Sequence, residues 1–350
     1  MPNKIPVGVL GATGAVGQKF IKLLEHHPWF ELTELAASDR SAGKSYKDAA
    51  AWRQSTPIPE LVKERIVKPC EPGLDCHVVF SGLDASVAGE VEENFARAGY
   101  IVLSNSKNHR MDEDVPLLVP EINPEHLGLI KTQRERRNWS GAIVTNPNCS
   151  TIGLVMALAP IHRAFGVTRV IVTTMQALSG AGYPGPSAID MLGNVSPFIS
   201  GEEDKVETEP RKIMGALEGD HIRYAGCIIS AHTNRVFVED GHMECASVEL
   251  EKKATPEEVA RVLSDFTSLP QELKLPFAPE RPVIVTSEPD RPQPRMDRDA
   301  GQGMSAVVGR LRRCPVFDIR FVVLSHNTIR GAAGAAILNA ELMKVRGYLN

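Results

Sequence analysis

A glycine-spaced turn near the start of the chain, GVLGATGAVGQKF, constrains the fold more than any other feature. Gly11, Gly14 and Gly17 stand between a strand-like apolar run at residues 6–11 and a helical pattern at residues 17–27. Glycine at such a turn lets the backbone approach a pyrophosphate, and the N-terminus of the following helix stabilises its negative charge. The GxxGxxG spacing departs from the common GxGxxG and also suits a purely structural turn. In this strand–turn–helix setting it predicts a dinucleotide-binding loop.

Strand and helix patterns alternate over the first third of the chain. Further strand-like runs occupy residues 31–38, 76–82 and 100–106, and a second helical pattern covers residues 87–99. Such alternation is typical of a parallel, doubly wound sheet that binds ligands at the carboxyl ends of its strands. We therefore expect an α/β protein with a Rossmann-like N-terminal domain.

The pattern changes after residue 148. A strand of alternating apolar residues at 167–180, loops rich in Gly and Pro, and more strand-like stretches predict an α+β domain with a mostly antiparallel sheet. We expect the cofactor domain to span residues 1–148 and the catalytic domain residues 149–326. The C-terminal helix, residues 327–350, is rich in small residues that permit close packing, and we expect it to complete the first domain.

The composition excludes several classes of partner. The 350 residues carry a formal net charge of −4, which gives no electrostatic reason to bind nucleic acid or an anionic membrane. No run approaches the roughly 18 uninterrupted apolar residues of a membrane span, and the apolar run at residues 7–10 reads as a strand rather than a signal peptide. The six cysteines are scattered without zinc-like spacing. We therefore expect reduced thiols, a cytoplasmic location and no bound metal.

Cys149 lies where a polar, proline-broken turn meets a long apolar run, in VTNPNCSTIGLVMALAPI. Apolar residues from Ile152 to Ile161 recur at spacings of three and four, which predicts an amphipathic helix with Cys149 at its N-terminus. The free N–H groups and the positive dipole end at that position favour a thiolate. The alternative is a small buried residue near a helix cap, because cysteine is among the most buried residue types.

The segment after the second strand bears on the choice between NAD and NADP. An acidic residue at this point would bind a ribose 2′-hydroxyl and favour NAD. Here the strand runs into ASDRSAGK, where Ser38, Arg40 and Ser41 suit a 2′-phosphate while Asp39 opposes it. We therefore expect NADP as the cofactor.

A set of motifs now stands in order along the whole chain: the dinucleotide loop, SNSKNHRM, NPNCSTIG, MQALSGAG, GEEDKVETEP, NRVFVEDGH and NTIRGAAG. This set resembles the aspartate-semialdehyde dehydrogenases, in particular the archaeal and fungal branch of that family. The resemblance implies reversible, NADPH-dependent reductive dephosphorylation of L-4-aspartyl phosphate to L-aspartate 4-semialdehyde through a cysteine thioester. It also implies a role in lysine, threonine, methionine and isoleucine biosynthesis, inorganic phosphate as the second product, and a homodimer or homotetramer formed through the second domain.

The resemblance also implies roles for residues that contact the substrate. Cys149 would be the nucleophile that accepts the acyl group, and His242 the general acid and base. Arg235 would bind the substrate carboxylate, and Arg110 and Lys205 the phosphate. Three more residues are implied at the substrate. Gln176 would orient the substrate, and Glu202 would meet the substrate amino group unless the adjoining Glu203 does so. Asn108 is the third.

A second group of residues is implied at the cofactor. Asn327 would reach the nicotinamide end, and the glycine turn and the segment after the second strand would hold the phosphates. The full set of expected cofactor residues is Gly11, Thr13, Gly14, Ala15, Val16, Ser38, Arg40, Ser41, Ser81, Ser104, Asn105, Ser179, Gly180 and Asn327.

Two other functions remain compatible with parts of this pattern. A reductase of an acyl-CoA, such as a malonyl-CoA reductase, would keep Cys149, His242 and the cofactor loop, but it would have no need for a phosphate site or for Glu202. A non-catalytic NADP-binding regulator would keep the glycine turn but would have little reason to hold a nucleophile, a base and an orienting arginine together. Phosphate-dependent reduction of NADP by aspartate semialdehyde would distinguish the three.

Overall fold

The computed structural model describes residues 4–349, so residues 1–3 and residue 350 of the expected first domain lie outside the described part. The strands of the first sheet are β1 (Ile5–Leu10), β2 (Phe30–Ala37), β3 (Lys68–Pro69), β4 (Val78–Ser81), β5 (Ile101–Ser104) and β6 (Ala142–Thr145). All its pairings are parallel, in the order β3-β2-β1-β4-β5-β6. The order reverses beside β1, which opens a crevice at the carboxyl ends of β1 and β4. The predicted doubly wound sheet is confirmed.

Helices cover both faces of this sheet: α1 (Ala15–Leu24), α2 (Tyr46–Ala49), α3 (Glu60–Lys63), α4 (Ala85–Arg97) and α5 (Leu129–Arg137). Helix α1 buries Phe20, Ile21 and Leu24 in the first core, because these side chains recur on one helical face. Asp84 is the N-cap of helix α4, and its side chain accepts a hydrogen bond from the Ser86 N–H.

The remaining elements are α6 (Cys149–Phe165), β7 (Val167–Gln176), α7 (Ala188–Met191), α8 (Glu202–Ile213), β8 (Ala216–Glu218), β9 (His221–Arg223), β10 (Ile228–Arg235), β11 (His242–Leu250), α9 (Pro256–Ser264), α10 (Leu269–Glu272), β12 (Val283–Val285), α11 (Pro294–Asp297), β13 (Ala306–Arg313), β14 (Ile319–Ser325) and α12 (Gly334–Val345). The second sheet has the order β10-β7-β11-β14-β13-β12. Its β7–β11, β11–β14 and β13–β14 pairings are antiparallel, whereas β7–β10 and β12–β13 are parallel. The sheet is therefore mixed, with antiparallel pairings in the majority.

Helix α6 is enclosed on all sides. Residues 150–161 are buried without interruption, and the helix packs against β7, β11 and β14 of the second sheet and against α8 and α9. Its burial explains why the sequence there is apolar beyond a single stripe. Just before the helix, the side-chain amide of Asn146 donates to Asn105 Oδ1 at 2.8 Å and to the Ala332 carbonyl at 2.9 Å. Through these bonds the turn before α6 is joined to the end of β5 and to the C-terminal segment.

The C-terminal segment returns to the first domain. Side chains of α12, among them Ile337, Leu342 and Met343, are part of the N-terminal hydrophobic core. Arg330, which is fully buried just before α12, forms two hydrogen bonds of 2.6 and 2.7 Å to the buried carboxylate of Glu121. Within residues 4–349, no helix is long and apolar enough to cross a membrane.

Candidate active site

Cys149 is the first residue of α6, and the turn before it uses most of the free N–H groups of the helix start. Asn148 caps the helix: its side-chain oxygen accepts from the N–H groups of Ser150 at 2.9 Å and Thr151 at 3.2 Å. The N–H of Asn148 itself donates to Glu209 Oε2 at 2.6 Å. The sequence predicted free N–H groups at this helix start, and the structure corrects that expectation. Among residues 4–349, only the N–H of Cys149 has no partner in this turn.

His242 begins β11 and faces the nucleophile. Its Nε2 lies 3.2 Å from Cys149 Sγ, and its Nδ1 accepts a hydrogen bond of 3.0 Å from the N–H of Ala177. Because a backbone N–H can only donate, Nδ1 is unprotonated and the ring proton lies on Nε2, directed at the sulfur. Burial, and then the charge of Arg235, lowers the pKa of His242 to about 3. The imidazole is therefore uncharged at neutral pH.

The charge state of Cys149 differs from the expectation. Burial raises the pKa of the Cys149 thiol to about 12, with a further increase from Glu202; the positive charges of Arg110, Arg235 and Lys205 oppose this increase. The three cations therefore do not outweigh the loss of solvation, and the predicted thiolate is wrong. The side chain is nevertheless partly exposed to the cleft.

Helix α8 brings an ion pair to the nucleophile. Glu202 accepts from the Asn148 side-chain amide at 2.5 Å and from Lys205 Nζ at 2.7 Å. Burial opposes the ionisation of Glu202, but Lys205 and the Asn148 amide outweigh it and hold the pKa of Glu202 below its usual value. Glu203, the alternative at this position, instead accepts from the N–H of Thr233. Of the two adjoining carboxylates, Glu202 is the one that lies in the cleft.

Arg235 and Gln176 end two neighbouring parallel strands, β10 and β7, and are paired in register. Arg235 NH1 donates to the Ala177 carbonyl at 2.7 Å, and burial lowers the pKa of its guanidinium. Gln176 is buried, and its amide donates to Thr174 Oγ1 at 3.3 Å. The antiparallel strand β11 starts beside the end of β7, so the sheet topology brings Arg235, Gln176 and His242 to one end of three consecutive strands.

One cleft of about 1210 Å³ joins many of the expected residues from both domains. The expected site residues that line it are Ala15, Val16, Asn105, Arg110, Cys149, Ser179, Gly180, Glu202, Lys205 and Asn327. The Asn327 side chain connects two segments beside the cleft: it accepts a hydrogen bond from the Gly241 N–H and donates one to Ser179 Oγ, both at 2.8 Å. His242, Arg235 and Gln176 are buried behind this lining. Asn108 also does not line the cleft, but it is exposed, and its amide group bonds to Ser106 and the Ala85 carbonyl.

The glycine turn has the geometry of a close backbone approach. Gly11 has a φ of +74°, and a Cβ on Gly17 would lie 2.2 Å from the Gly11 carbonyl oxygen, so helix α1 can start there only with glycine. Thr13 and Gly14 complete the loop, and Gly14 is the N-cap of α1. Such a turn fits the pyrophosphate of a dinucleotide.

The other expected cofactor residues fall into two groups. Ser81 and Ser104 end β4 and β5, but both hydroxyls donate to buried Glu92, at 2.6 and 2.8 Å, so neither side chain is free to donate to a cofactor. Ser38 and Arg40 are exposed and Ser41 is buried at the carboxyl end of β2, outside the lining of the cleft. Within residues 4–349, the Arg40 guanidinium has no hydrogen-bond or ion-pair partner.

Sequence reasoning missed several residues of this site. Glu209 and Lys212 lie on the face of α8 that carries Glu202 and Lys205, and the spacing of 3, 4 and 3 residues was a readable signal. Gly331 packs against the nucleophile so closely that a Cβ there would lie 2.8 Å from Cys149 Cβ.

Within residues 4–349 the structure shows no cluster of three His, Cys, Asp or Glu side chains able to hold a metal.

Two family descriptions match most of the chain. Residues 6–130 match the semialdehyde dehydrogenase NAD binding domain, and residues 158–330 match the semialdehyde dehydrogenase dimerisation domain. The aspartate-semialdehyde dehydrogenase of Archaeoglobus fulgidus is 53% identical over 338 residues, which cover 96% of this chain and 97% of the relative. That of Schizosaccharomyces pombe is 48% identical, with 98% of this chain and 99% of the relative covered.

A solved structure extends the similarity to three dimensions. The crystal structure of aspartate-semialdehyde dehydrogenase with NADP from Candida albicans has a TM-score of 0.91 and 44% identity to this chain, with 99% of each chain covered. Aspartate-semialdehyde dehydrogenase II from Vibrio cholerae, complexed with ASA, has a TM-score of 0.77 and 28% identity over 99% of each chain.

Proposed function

The chain belongs to the aspartate-semialdehyde dehydrogenase family, and we propose that the cleft around Cys149 carries out the reaction of that family with the residues named below. The reaction is the reversible reductive dephosphorylation of L-4-aspartyl phosphate to L-aspartate 4-semialdehyde with NADPH, in the biosynthesis of lysine, threonine, methionine and isoleucine. The observation that carries the assignment is the 3.2 Å contact between Cys149 and His242 in a cleft that also contains Arg110, Lys205 and Glu202. These charges suit a substrate with a phosphate and an ammonium group.

Cys149 forms the covalent intermediate. Its sulfur attacks the acyl carbon of aspartyl phosphate and the bond from that carbon to the phosphate oxygen breaks. Inorganic phosphate leaves with the bonding electrons and takes up the proton that the Cys149 thiol loses. Arg110 and Lys205 stabilise the negative charge on the departing phosphate. The free N–H of Cys149 is available to the oxyanion of the tetrahedral intermediate. The product of this half-reaction is a thioester on Cys149.

NADPH, when bound, supplies the hydride that reduces this thioester, and the glycine turn at Gly11–Gly17 is built to hold its pyrophosphate. The role of His242 is to move a proton through Nε2. As an acid, it gives the Nε2 proton to the thiohemiacetal oxygen while Nδ1 takes up the proton that the reaction consumes from solvent, so the ring stays neutral; in the reverse direction both transfers run backwards. To accept a proton at Nε2 from the resting state, the ring must move its own proton to Nδ1, which breaks the hydrogen bond from Ala177.

The substrate is held by groups on both sides of the nucleophile. We assign Arg235 to the α-carboxylate, because a planar guanidinium can form two parallel hydrogen bonds to it. We assign Glu202 to the α-ammonium group and Gln176 to the orientation of the substrate. The position of Asn108 supports no contact with the substrate. Ser38, Arg40 and Ser41 remain our proposal for the 2′-phosphate of NADP.

The larger organisation follows from the same family. Residues 158–330 match a dimerisation domain, so the chain forms a homo-oligomer. We propose a homodimer or homotetramer in the cytoplasm, with residues 1–148 and 327–350 as the cofactor domain and residues 149–326 as the catalytic and dimerisation domain. The exposed Ile171 and Ile228 on the face of the second sheet turned away from α6 support an interface there. Nothing in the cleft favours an acyl-CoA substrate or a regulatory role.

Replacement of the nucleophile tests the proposal. We expect Cys149→Ser to lose nearly all phosphate-dependent reduction of NADP by aspartate semialdehyde, because a serine hydroxyl lacks the nucleophilicity of sulfur and forms no thioester. NADP affinity, measured by fluorescence titration, and the melting temperature should stay close to wild type. Wild-type turnover in the variant, or activity that does not need phosphate, would contradict the assignment.

A further inference from the structure

One face of α8 carries two acids and two bases in alternation. Glu202, Lys205, Glu209 and Lys212 follow one another at spacings of 3, 4 and 3, so all four project from the same side of the helix. The first two lie in the cleft and belong to the site described above. The last two are buried beneath it, with Glu209 only 2% and Lys212 only 1% exposed. Their contacts reach the nucleophile turn and the segment that carries Arg110.

Glu209 joins two parts of the site with one carboxylate. Its Oε1 accepts a hydrogen bond of 2.9 Å from Arg110 NH1, and its Oε2 accepts one of 2.6 Å from the N–H of Asn148. Asn148 directly precedes the nucleophile, and Arg110 comes from the segment that follows β5 of the first domain. Both donors are buried, so each contact acts where water does not compete for it. The carboxylate therefore fixes the distance between the phosphate-binding arginine and Cys149.

Lys212 holds the same segment independently. Its Nζ donates to the carbonyls of Arg110, Asp112 and Val115 at 2.7–2.8 Å. Arg137 adds two hydrogen bonds of 2.6 Å to the carboxylate of Asp114. The backbone around Arg110 thus has anchors that do not involve Glu209. The contact of Glu209 is with the guanidinium itself, and it determines where that group points.

We propose that Glu209 is a positioning residue that aims Arg110 at the phosphate group and couples it to the nucleophile turn. This inference rests on the proposed function, since it takes Arg110 as part of the phosphate site. The side chain at position 209 must supply two hydrogen-bond acceptors, because Arg110 NH1 and the Asn148 N–H are both donors. Glutamine has the same shape but supplies one acceptor and an NH₂ group, so it must present a donor to either Arg110 or Asn148. If the contact with Glu209 is lost, the Arg110 guanidinium keeps only the hydrogen bond of 2.8 Å from NH2 to the Asn105 carbonyl.

Steady-state kinetics of Glu209→Gln in the phosphorylating direction test the proposal. We expect the KM for inorganic phosphate to rise about tenfold or more, because a buried charge-assisted contact that aims its ligand is lost. The kcat should fall as well, while the KM for aspartate semialdehyde and the Kd for NADP stay within about twofold. Glu207→Gln is the matched control: its carboxylate lies on the same helix and accepts a backbone hydrogen bond of 2.9 Å from Ala231, outside the site. We expect all its constants to equal those of wild type.

A double-mutant cycle separates the possible outcomes. If Glu209 acts through Arg110, Glu209→Gln in an Arg110→Ala background should raise the phosphate KM no further. A phosphate KM that is unchanged in Glu209→Gln but raised in Arg110→Ala overturns the positioning role and leaves the proposed function standing. A phosphate KM unchanged in Arg110→Ala contradicts the phosphate site itself. Equal losses in Glu207→Gln and Glu209→Gln would show a structural effect of α8 and overturn the inference.

Discussion

The charge state of Cys149 leads to a quantitative prediction. With a pKa of about 12 in place of the ordinary 9.0, the sulfur is a neutral thiol at neutral pH. At pH 7.5 an ordinary thiol is about 3% thiolate, whereas Cys149 is ionised to only about 3 parts in 100,000, a ratio of about 1000. Because the thiolate is the form that reacts, we expect Cys149 to be alkylated about three orders of magnitude more slowly in the folded protein than in the urea-unfolded chain.

The neighbouring charges set the direction of change in variants. Glu202 raises the pKa of Cys149, so Glu202→Gln should speed alkylation, whereas Lys205 lowers it, so Lys205→Ala should slow alkylation further. Iodoacetamide labelling, followed from pH 6 to pH 10 by mass spectrometry of the peptide that contains Cys149, measures the alkylation rate of the wild type and of both variants. Cys314 serves as an internal reference. Burial opposes its ionisation, but backbone hydrogen bonds from Phe317 and Val316 outweigh burial and lower its pKa, so this cysteine should be labelled first.

A labelling profile of Cys149 with a midpoint below pH 8 would refute this reasoning. It would mean that Arg110, Arg235 and Lys205, together with the α6 dipole, outweigh the loss of solvation at the sulfur. A slower rate in Glu202→Gln would separately refute the sign of the interaction between the two side chains.

Three further changes test other parts of the structure. Arg235→Lys should raise the KM for aspartate semialdehyde with a smaller effect on kcat, because lysine cannot form the two-pronged contact; an unchanged KM would remove Arg235 as the carboxylate ligand. Arg40→Ala should reduce the preference for NADP over NAD about tenfold, since only NADP has a 2′-phosphate, and equal losses in titrations with both cofactors would exclude that role. His126 is fully buried, and burial lowers its pKa to about 4. Because the unfolded chain binds the proton near pH 6.5, this histidine should cost about 2 kcal/mol of stability between pH 7 and pH 5. Urea melts of His126→Asn should show less destabilisation over that range, and a pH dependence as steep as in wild type would contradict the reasoning.

The first domain could be predicted from local patterns because most of its strands are short buried apolar runs that alternate with helices. Strand β3 was missed because two residues show no period, and β6 was missed although it has four residues like β4 and β5. The second sheet was harder to predict. Its parallel pairings, β7 with β10 and β12 with β13, join segments far apart in sequence, and no local pattern encodes which strands become neighbours.

The site could be predicted only in part. Cys149 and His242 are 93 residues apart, and a family resemblance rather than any periodicity suggested that they meet. Two features were nevertheless readable from the residues. Asparagine is a preferred helix cap, so Asn148 could have been expected to use the first N–H groups of α6. The spacing of Glu209 and Lys212 placed them on the face of Glu202. The pKa of Cys149 was not readable, because burial depends on the complete fold.

The neutral state of the nucleophile has a consequence for its survival. A thiolate is oxidised far more readily than a thiol, so a cysteine that rests as a neutral thiol is protected even though it lines an open cleft. The cations Arg110, Arg235 and Lys205 lower the pKa of Cys149 but are themselves partly neutralised: Arg110 bonds to Glu209 and Lys205 to Glu202. A substrate that places its phosphate against Lys205 and its ammonium against Glu202 would exchange the Lys205–Glu202 pair for its own groups, while Glu209 keeps Arg110 in place. The charge around the sulfur would then change only when the correct substrate is bound, which links recognition to the reactivity of the cysteine.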